Sequence, residues 1–184
     1  MPMSTAPRYQ PHYTIADYRQ WEGRWELWNG VAVAMSPSPL GRHAKLLARL
    51  VTELANGIDA AGCGATVLVE IDWIISDDTV VRPDVTVVCG SEPIGHVERA
   101  PALIVEVLSD GTRERDMVFK RGLYQERGVA WYLIADPDQR SLHVLSLTES
   151  GTYVESVRDS AATSIPIGLC GDCRIEIDPA RLFR

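Results

Sequence analysis

The chain has 184 residues, of which 46% are hydrophobic, and a formal net charge of -7. That length suits a single domain with a sizeable core, and no apolar run approaches the roughly 20 residues needed to cross a bilayer. The acidic balance argues against indiscriminate nucleic-acid binding, which needs cations facing phosphates, but leaves room for a local basic patch.

Residues 1–13 are polar, contain prolines and lack the apolar stretch of a secretory signal. They read as a loose arm on a cytoplasmic protein, followed by one domain over residues 14–184. Thr14-Ile-Ala-Asp17 has the form of a capping box with Asp in place of Glu, so a short helix is expected from Ile15 to about Trp21. Asn29-Gly30 lies between the apolar stretches Trp25–Trp28 and Val31–Met35, a strong hairpin signal because both turn positions favour positive φ. Ser36-Pro-Ser-Pro39 closes that unit. Apolar residues at Leu46, Leu47, Leu50, Val51, Leu54 and Ile58 form a helical stripe from about Arg42 to Ala60, with Gly57 and Gly62 weakening its end. Three β-rich stretches follow, Thr66–Ile75, Val80–Cys89 and Ala102–Leu108, with a tight turn at Asp77-Asp78.

A second helix is expected from Arg113 to Arg127, stopping at Gly128. Val129–Ala135 reads as a strand. Leu142–Leu147 and Tyr153–Val157 read as a hairpin across Glu149-Ser-Gly151, and the tail from Ile165 as short and irregular. This order predicts an α/β fold, a mixed central β-sheet flanked by helices. Cys63, Cys89, Cys170 and Cys173 are too few and scattered for a secreted disulfide scaffold. Cys170-Gly-Asp-Cys173 has the spacing of half a zinc knuckle without an adjacent second pair, so the expectation is free thiols in a reducing cytosol.

Two acids stand out. Glu106 interrupts the apolar run Ala102-Leu-Ile-Val-Glu-Val-Leu108, where a lone carboxylate is costly unless paired, protonated or bound to a cation. Asp84 begins the stretch Asp84-Val-Thr-Val-Val88. Were the two strands neighbours, both carboxylates would project into one crevice and offer hard oxygen ligands suited to Mg²⁺ or Mn²⁺. Taken singly, Asp84 can equally be a turn residue and Glu106 the partner of an interior arginine. Asp116, Lys120 and Tyr124 follow at i, i+4 and i+8, one face of the next helix, although Asp116–Lys120 also fits an ordinary surface ion pair. His43 opens the long helix, where the macrodipole should favour its neutral form.

Arg82-Pro-Asp84, Val105-Glu-Val-Leu-Ser109, Thr112-Arg-Glu-Arg-Asp116 and Lys120-xxx-Tyr124 together resemble a widespread family of small bacterial proteins. That family is catalogued as restriction-endonuclease-like, within the PD-(D/E)XK nuclease superfamily. Trp25-Glu-Leu-x-Asn-Gly30, Met35-Ser-Pro37, His43, Gly128-Val-x-x-Tyr132 and Asp136-Pro137 extend the resemblance over Thr14 to Val157. It implies that Asp84 and Glu106 bind the metal, with the Val107 carbonyl a further ligand and Glu26 an additional acid. The superfamily's usual lysine position holds Leu108, so Lys120 is the migrated equivalent.

The expected activity is metal-dependent hydrolysis of phosphodiester bonds in nucleic acid, with DNA favoured and RNA left open. Arg42, Lys45, Arg113, Arg115 and Arg121 are candidates for phosphate contact, and His43, Asp116 and Tyr124 are secondary site candidates. The alternatives are a catalytically inactive nuclease-fold binding or regulatory protein, and a metal-dependent hydrolase of another substrate. The resemblance also implies a homodimer, to which Trp21, Trp25, Trp28 and Tyr132 could contribute unless they are core residues.

Overall fold

The computed structural model of the protein describes residues 11–35, 41–109 and 111–184. Most of the expected N-terminal arm and the Ser36–Pro39 segment lie outside the described residues. Helix α1 (Ile15–Tyr18) is capped as anticipated, the Thr14 N–H donating to the Asp17 carboxylate at 2.8 Å, but it ends before Trp21. Strands β1 (Trp25–Trp28) and β2 (Val31–Ala34) form the hairpin, with Asn29 and Gly30 both at positive φ.

Helix α2 (Gly41–Ala61) runs through Gly57 instead of fraying there. A Cβ at Gly57 would lie 3.3 Å from the Ile175 Cβ, so the glycine permits a close approach by the C-terminal strands. The buried stripe of α2 is Leu46, Leu50, Leu54 and Ile58 at four-residue spacing, with His43 inside the first turn.

Both long β-rich stretches divide between sheets. The first becomes β3 (Ala65–Val69) and β4 (Trp73–Ser76), and the second β5 (Thr79–Val81) and β6 (Val85–Cys89). Pro83 has no N–H to continue a ladder, so the chain leaves one sheet at Val81 and enters the other at Val85. Asp84 sits at that entry. The remaining elements are β7 (Leu103–Val107), a π-helical segment Arg115–Lys120 that continues into α3 (Arg121–Glu126), β8 (Trp131–Asp136), β9 (Ser141–Leu147) and β10 (Tyr153–Asp159). The expected helix from Arg113 is therefore π-helical in its first half, a widened turn common at functional sites.

The tail is ordered where irregular chain was expected. Strands β11 (Ile165–Gly168) and β12 (Arg174–Ile177) pair, and α4 (Pro179–Leu182) follows, opened by an Asp178 carboxylate that accepts from the Ala180 N–H. Alternation explains the ordering: Ile165, Ile167, Ile175 and Ile177 turn inward and join the core over α2.

The central sheet has six strands in the order β10-β9-β8-β7-β6-β3, with only β7 and β8 parallel. A four-stranded sheet runs β2-β1-β5-β4. In β7 the side chains alternate, Leu103, Val105 and Val107 facing the core under α2, and Ile104 facing the opposite core of Tyr124, Tyr132 and Ile134. Glu106 falls on that second face.

The cysteines correct the expectation of free thiols and of a half zinc knuckle, because all four are paired as Cys63–Cys173 and Cys89–Cys170, each with Cα atoms 5.6 Å apart. Register accounts for it. Ala65 lies opposite Cys89, which brings Cys63 and Cys89 to one end of the sheet, and the turn between β11 and β12 presents Cys170 and Cys173 to both.

Candidate active site

Strands β6 and β7 pair antiparallel with Val85 opposite Val105, so one step further Asp84 stands opposite Glu106. The Val107 N–H donates to Asp84 Oδ2 at 2.7 Å, which fastens that carboxylate to the end of β7. His43 Nε2, arriving from α2, lies 3.4 Å from the same oxygen, and its Nδ1 is buried with no hydrogen-bond partner among the described residues.

Lys120 is buried, not turned to solvent. Its Nζ lies 2.9 Å from Glu106 Oε1, 3.1 Å from Glu26 Oε1 and 3.7 Å from Asp116 Oδ1. Glu106 Oε1 also accepts from the Tyr124 hydroxyl at 3.0 Å. Glu26 has both oxygens engaged, Oε1 by the Arg82 N–H at 2.7 Å and by Lys120, Oε2 by Trp28 Nε1 at 3.2 Å. Among the described residues Asp84 Oδ1 and Glu106 Oε2 accept no hydrogen bond, so these are the hard donors through which a divalent cation could be held. Among the described residues no group of three or more His, Cys, Asp or Glu side chains is placed to hold a metal ion. Asp84 and Glu106 offer two hard oxygens, so an ion held there would take its remaining ligands from water, as Mg²⁺ can.

These groups line a cavity of about 60 Å³ that also takes in Thr112, Met35, Arg115 and Val107.

Four carboxylates, Glu26, Asp84, Glu106 and Asp116, share this space with one buried ammonium. Burial, opposed by Lys120, holds Glu106 well above the usual carboxylate range. Burial likewise raises Asp116 to about 6, with Lys120 and a hydrogen bond from Thr112 opposing it. Lys120 is itself raised well above the ordinary lysine value, since Glu106, Glu26 and Asp116 outweigh its desolvation. His43 departs from expectation. Burial lowers its proton affinity, but Asp84 and the Val107 backbone more than offset this, so the net shift favours the charged form instead of the neutral one.

Of the phosphate-contact candidates, Arg115 reaches the cavity wall, donating to the Ala34 carbonyl at 3.1 Å beside the Trp28 ring. Arg113 and Arg121 are committed elsewhere, to Asp136 at 2.7 Å and Glu155 at 2.6 Å. Arg42 and Lys45 line a different cavity. Among the aromatics raised for a dimer contact, Tyr132 is fully buried and donates to the Asp116 carbonyl, so it offers nothing to a partner. Trp28 stacks on Phe119 at 4.1 Å.

Sequence reasoning misses two participants. Arg82 holds Glu26 through its backbone N–H and bonds Asp72 Oδ1 at 2.6 Å through its side chain. Asp72, buried, also accepts from the Tyr18 hydroxyl at 3.0 Å. The signal that singles out Glu106, an acid inside an apolar run, applies equally to Asp72 in Ile71-Asp-Trp-Ile-Ile75.

A mixed sheet with helices on its faces, entered at Asp84 and interrupted by Glu106, defines a protein of restriction-endonuclease-like fold. The crystal structure of a "putative nuclease belonging to DUF820" from Anabaena variabilis has that fold, superposing with a TM-score of 0.73 at 17% identity over 93% of this chain and 97% of its own. The chain belongs to the Uma2 family, described as "Putative restriction endonuclease", which it matches over residues 15–171. A DrdV–DNA complex shares 18% identity over 65% of this chain and 12% of its own, and its TM-score of 0.34 is too low to bear on the site. No curated protein matches the sequence. No helix among the described residues is long and apolar enough to cross a membrane.

Proposed function

We propose that the protein is a divalent-cation-dependent endonuclease hydrolysing phosphodiester bonds of nucleic acid, with DNA the favoured substrate. One observation carries this reading: Asp84 and Glu106 meet at one small cavity, each with an oxygen unpartnered, and Lys120 reaches the same carboxylate from the next helix. When bound, Mg²⁺ or Mn²⁺ supplies Lewis acidity toward a phosphoryl oxygen and an attacking water. Asp84 and Glu106 are the proposed ligands, with the Val107 carbonyl beside them. Lys120 sets the orientation of Glu106 and places a fixed positive charge where negative charge grows on the phosphate. Glu26, saturated by Arg82, Trp28 and Lys120, serves to hold that lysine, and Tyr124 to aim Glu106. Arg115, on the cavity wall, is the cation positioned to meet the scissile phosphate.

Plasmid nicking in Mg²⁺ or Mn²⁺ tests this. Glu106→Ala and Lys120→Ala should each lower the rate about 10²–10³-fold, the usual cost of losing an electrostatic partner of the transition state. Full activity in Glu106→Ala, or calorimetry that finds no divalent-ion binding, would remove the proposal. The second reading, a nuclease-fold binding protein that does not cut, draws on the contacts of Lys120 with three carboxylates, which leave it heavily engaged. Metal-dependent nicking that is lost in the variants excludes it. A homodimer remains part of the proposal, and sedimentation of the purified chain reads it; the cytoplasmic setting expected from the sequence sits poorly with two disulfides.

A further inference from the structure

On the flank of α2 away from His43 lies a second cavity, of about 140 Å³, lined by five cationic side chains, Arg42, Lys45, Arg49, Arg140 and Arg184, and, among the described residues, by no acidic side chain. In a chain of net charge -7 such a concentration is a local feature, not the general character of the surface. Helix geometry gathers it. Arg42, Lys45 and Arg49 fall within about 60° of one another around the axis, while His43 stands about 100° from Arg42 and faces the acidic cavity. The turn between β8 and β9 contributes Arg140, and the segment after α4 contributes Arg184.

The cations are held open. Arg49 donates to the main-chain oxygens of Leu182 and Arg184, which fixes its guanidinium. Arg42 is paired with Asp138. Among the described residues Lys45 and Arg140 are in no ion pair, so uncompensated positive charge faces the cavity.

We infer that this cavity binds the phosphate backbone of a nucleic acid, at a site separate from the acidic cavity and next to it along α2. The row from Arg42 to Arg49 rises about 10 Å, the axial length of about three successive phosphates of one strand, whereas a single phosphorylated metabolite needs no such row. Arg42 and His43 are consecutive, so a strand crossing the first turn of α2 passes from the cationic wall to the Asp84 side. The choice of nucleic acid as partner rests on the nuclease reading of the acidic cavity; the capacity to hold phosphates does not.

Fluorescence anisotropy with a labelled 16-base-pair duplex and its single strand, in Ca²⁺ and across 50–200 mM KCl, tests the site. Lys45→Gln/Arg140→Gln, both exposed, should weaken binding about tenfold or more and flatten the log–log salt slope by nearly 2 for the duplex, about 0.9 per lost contact. Lys45→Arg/Arg140→Lys should bind as the parent. Unchanged affinity and slope in the glutamine variant, melting as the parent does, overturn the inference. So does binding confined to inorganic phosphate, or to anionic lipid vesicles, with none to either oligonucleotide. The two proposals fail separately. Expected binding without nicking retires the nuclease reading alone, and nicking that is unaffected by the glutamine variant retires this site alone.

Discussion

At the scale of single residues, the acidic cavity concentrates charge that the fold must offset. Four carboxylates face one ammonium, and the proton affinities of Glu106 and Asp116 rise because burial penalises their charged forms. The sign of the resulting pH dependence follows. Asp116 moves from 3.8 to about 6, so between those values the folded chain holds a proton that the unfolded chain has released. Stability therefore falls as pH rises through that window and is favoured below it. In metal-chelated protein, denaturant midpoints measured from pH 4 to 7 should decline. Glu106, also raised, contributes with the same sign, so Asp116→Asn should make the decline shallower without abolishing it, and an equally steep curve in that variant would contradict the assignment.

Among the elements, α2 carries the largest share of positioning. Its buried face packs on the central sheet, its first turn supplies His43, and its far half lies against β12. Gly57 marks that second contact. Gly57→Val should cost about 1–3 kcal/mol by overpacking against Ile175, despite removing a residue that is poor in helices. Chemical denaturation reads the loss, and a variant as stable as the parent would mean that β12 can shift away. The π-helical segment is a second case. Asp116, Lys120 and Tyr124 were assigned one face from ordinary helical spacing, and they do meet Glu106 together or through Lys120, but on a widened turn that a spacing rule does not anticipate.

For the whole molecule, the two disulfides tie the C-terminal hairpin to the sheet across sequence separations of 110 and 81 residues. Alkylation of the unreduced protein followed by mass spectrometry should find no free thiol. Reduction should lower stability by about 2–4 kcal/mol for each bridge, by constraining the unfolded chain less. For a chain of this length that amounts to about 2–4 °C of melting temperature per kcal/mol. An unchanged melting curve after complete reduction would show that hairpin packing alone holds the tail.

Much of the architecture is written locally. The Asn29-Gly30 turn, the α2 stripe, the Asp77-Asp78 turn and the strand around Glu106 each follow from residue type and periodicity, which act over a few neighbours. Glu106 could be singled out because an acid in an apolar run is anomalous whatever surrounds it. What surrounds it was decided by tertiary structure. Pro83 could be read as a break, but not that the chain crosses between two sheets there; the cysteines could be counted, but not paired. The upward shift in the proton affinity of His43 came from Asp84 and Val107, on elements distant in sequence, and not from its own helix. The cationic cavity gathers one helix face, one turn and the end of the tail. Such features depend on which surfaces exclude water together, a property of the packed chain that no local pattern contains.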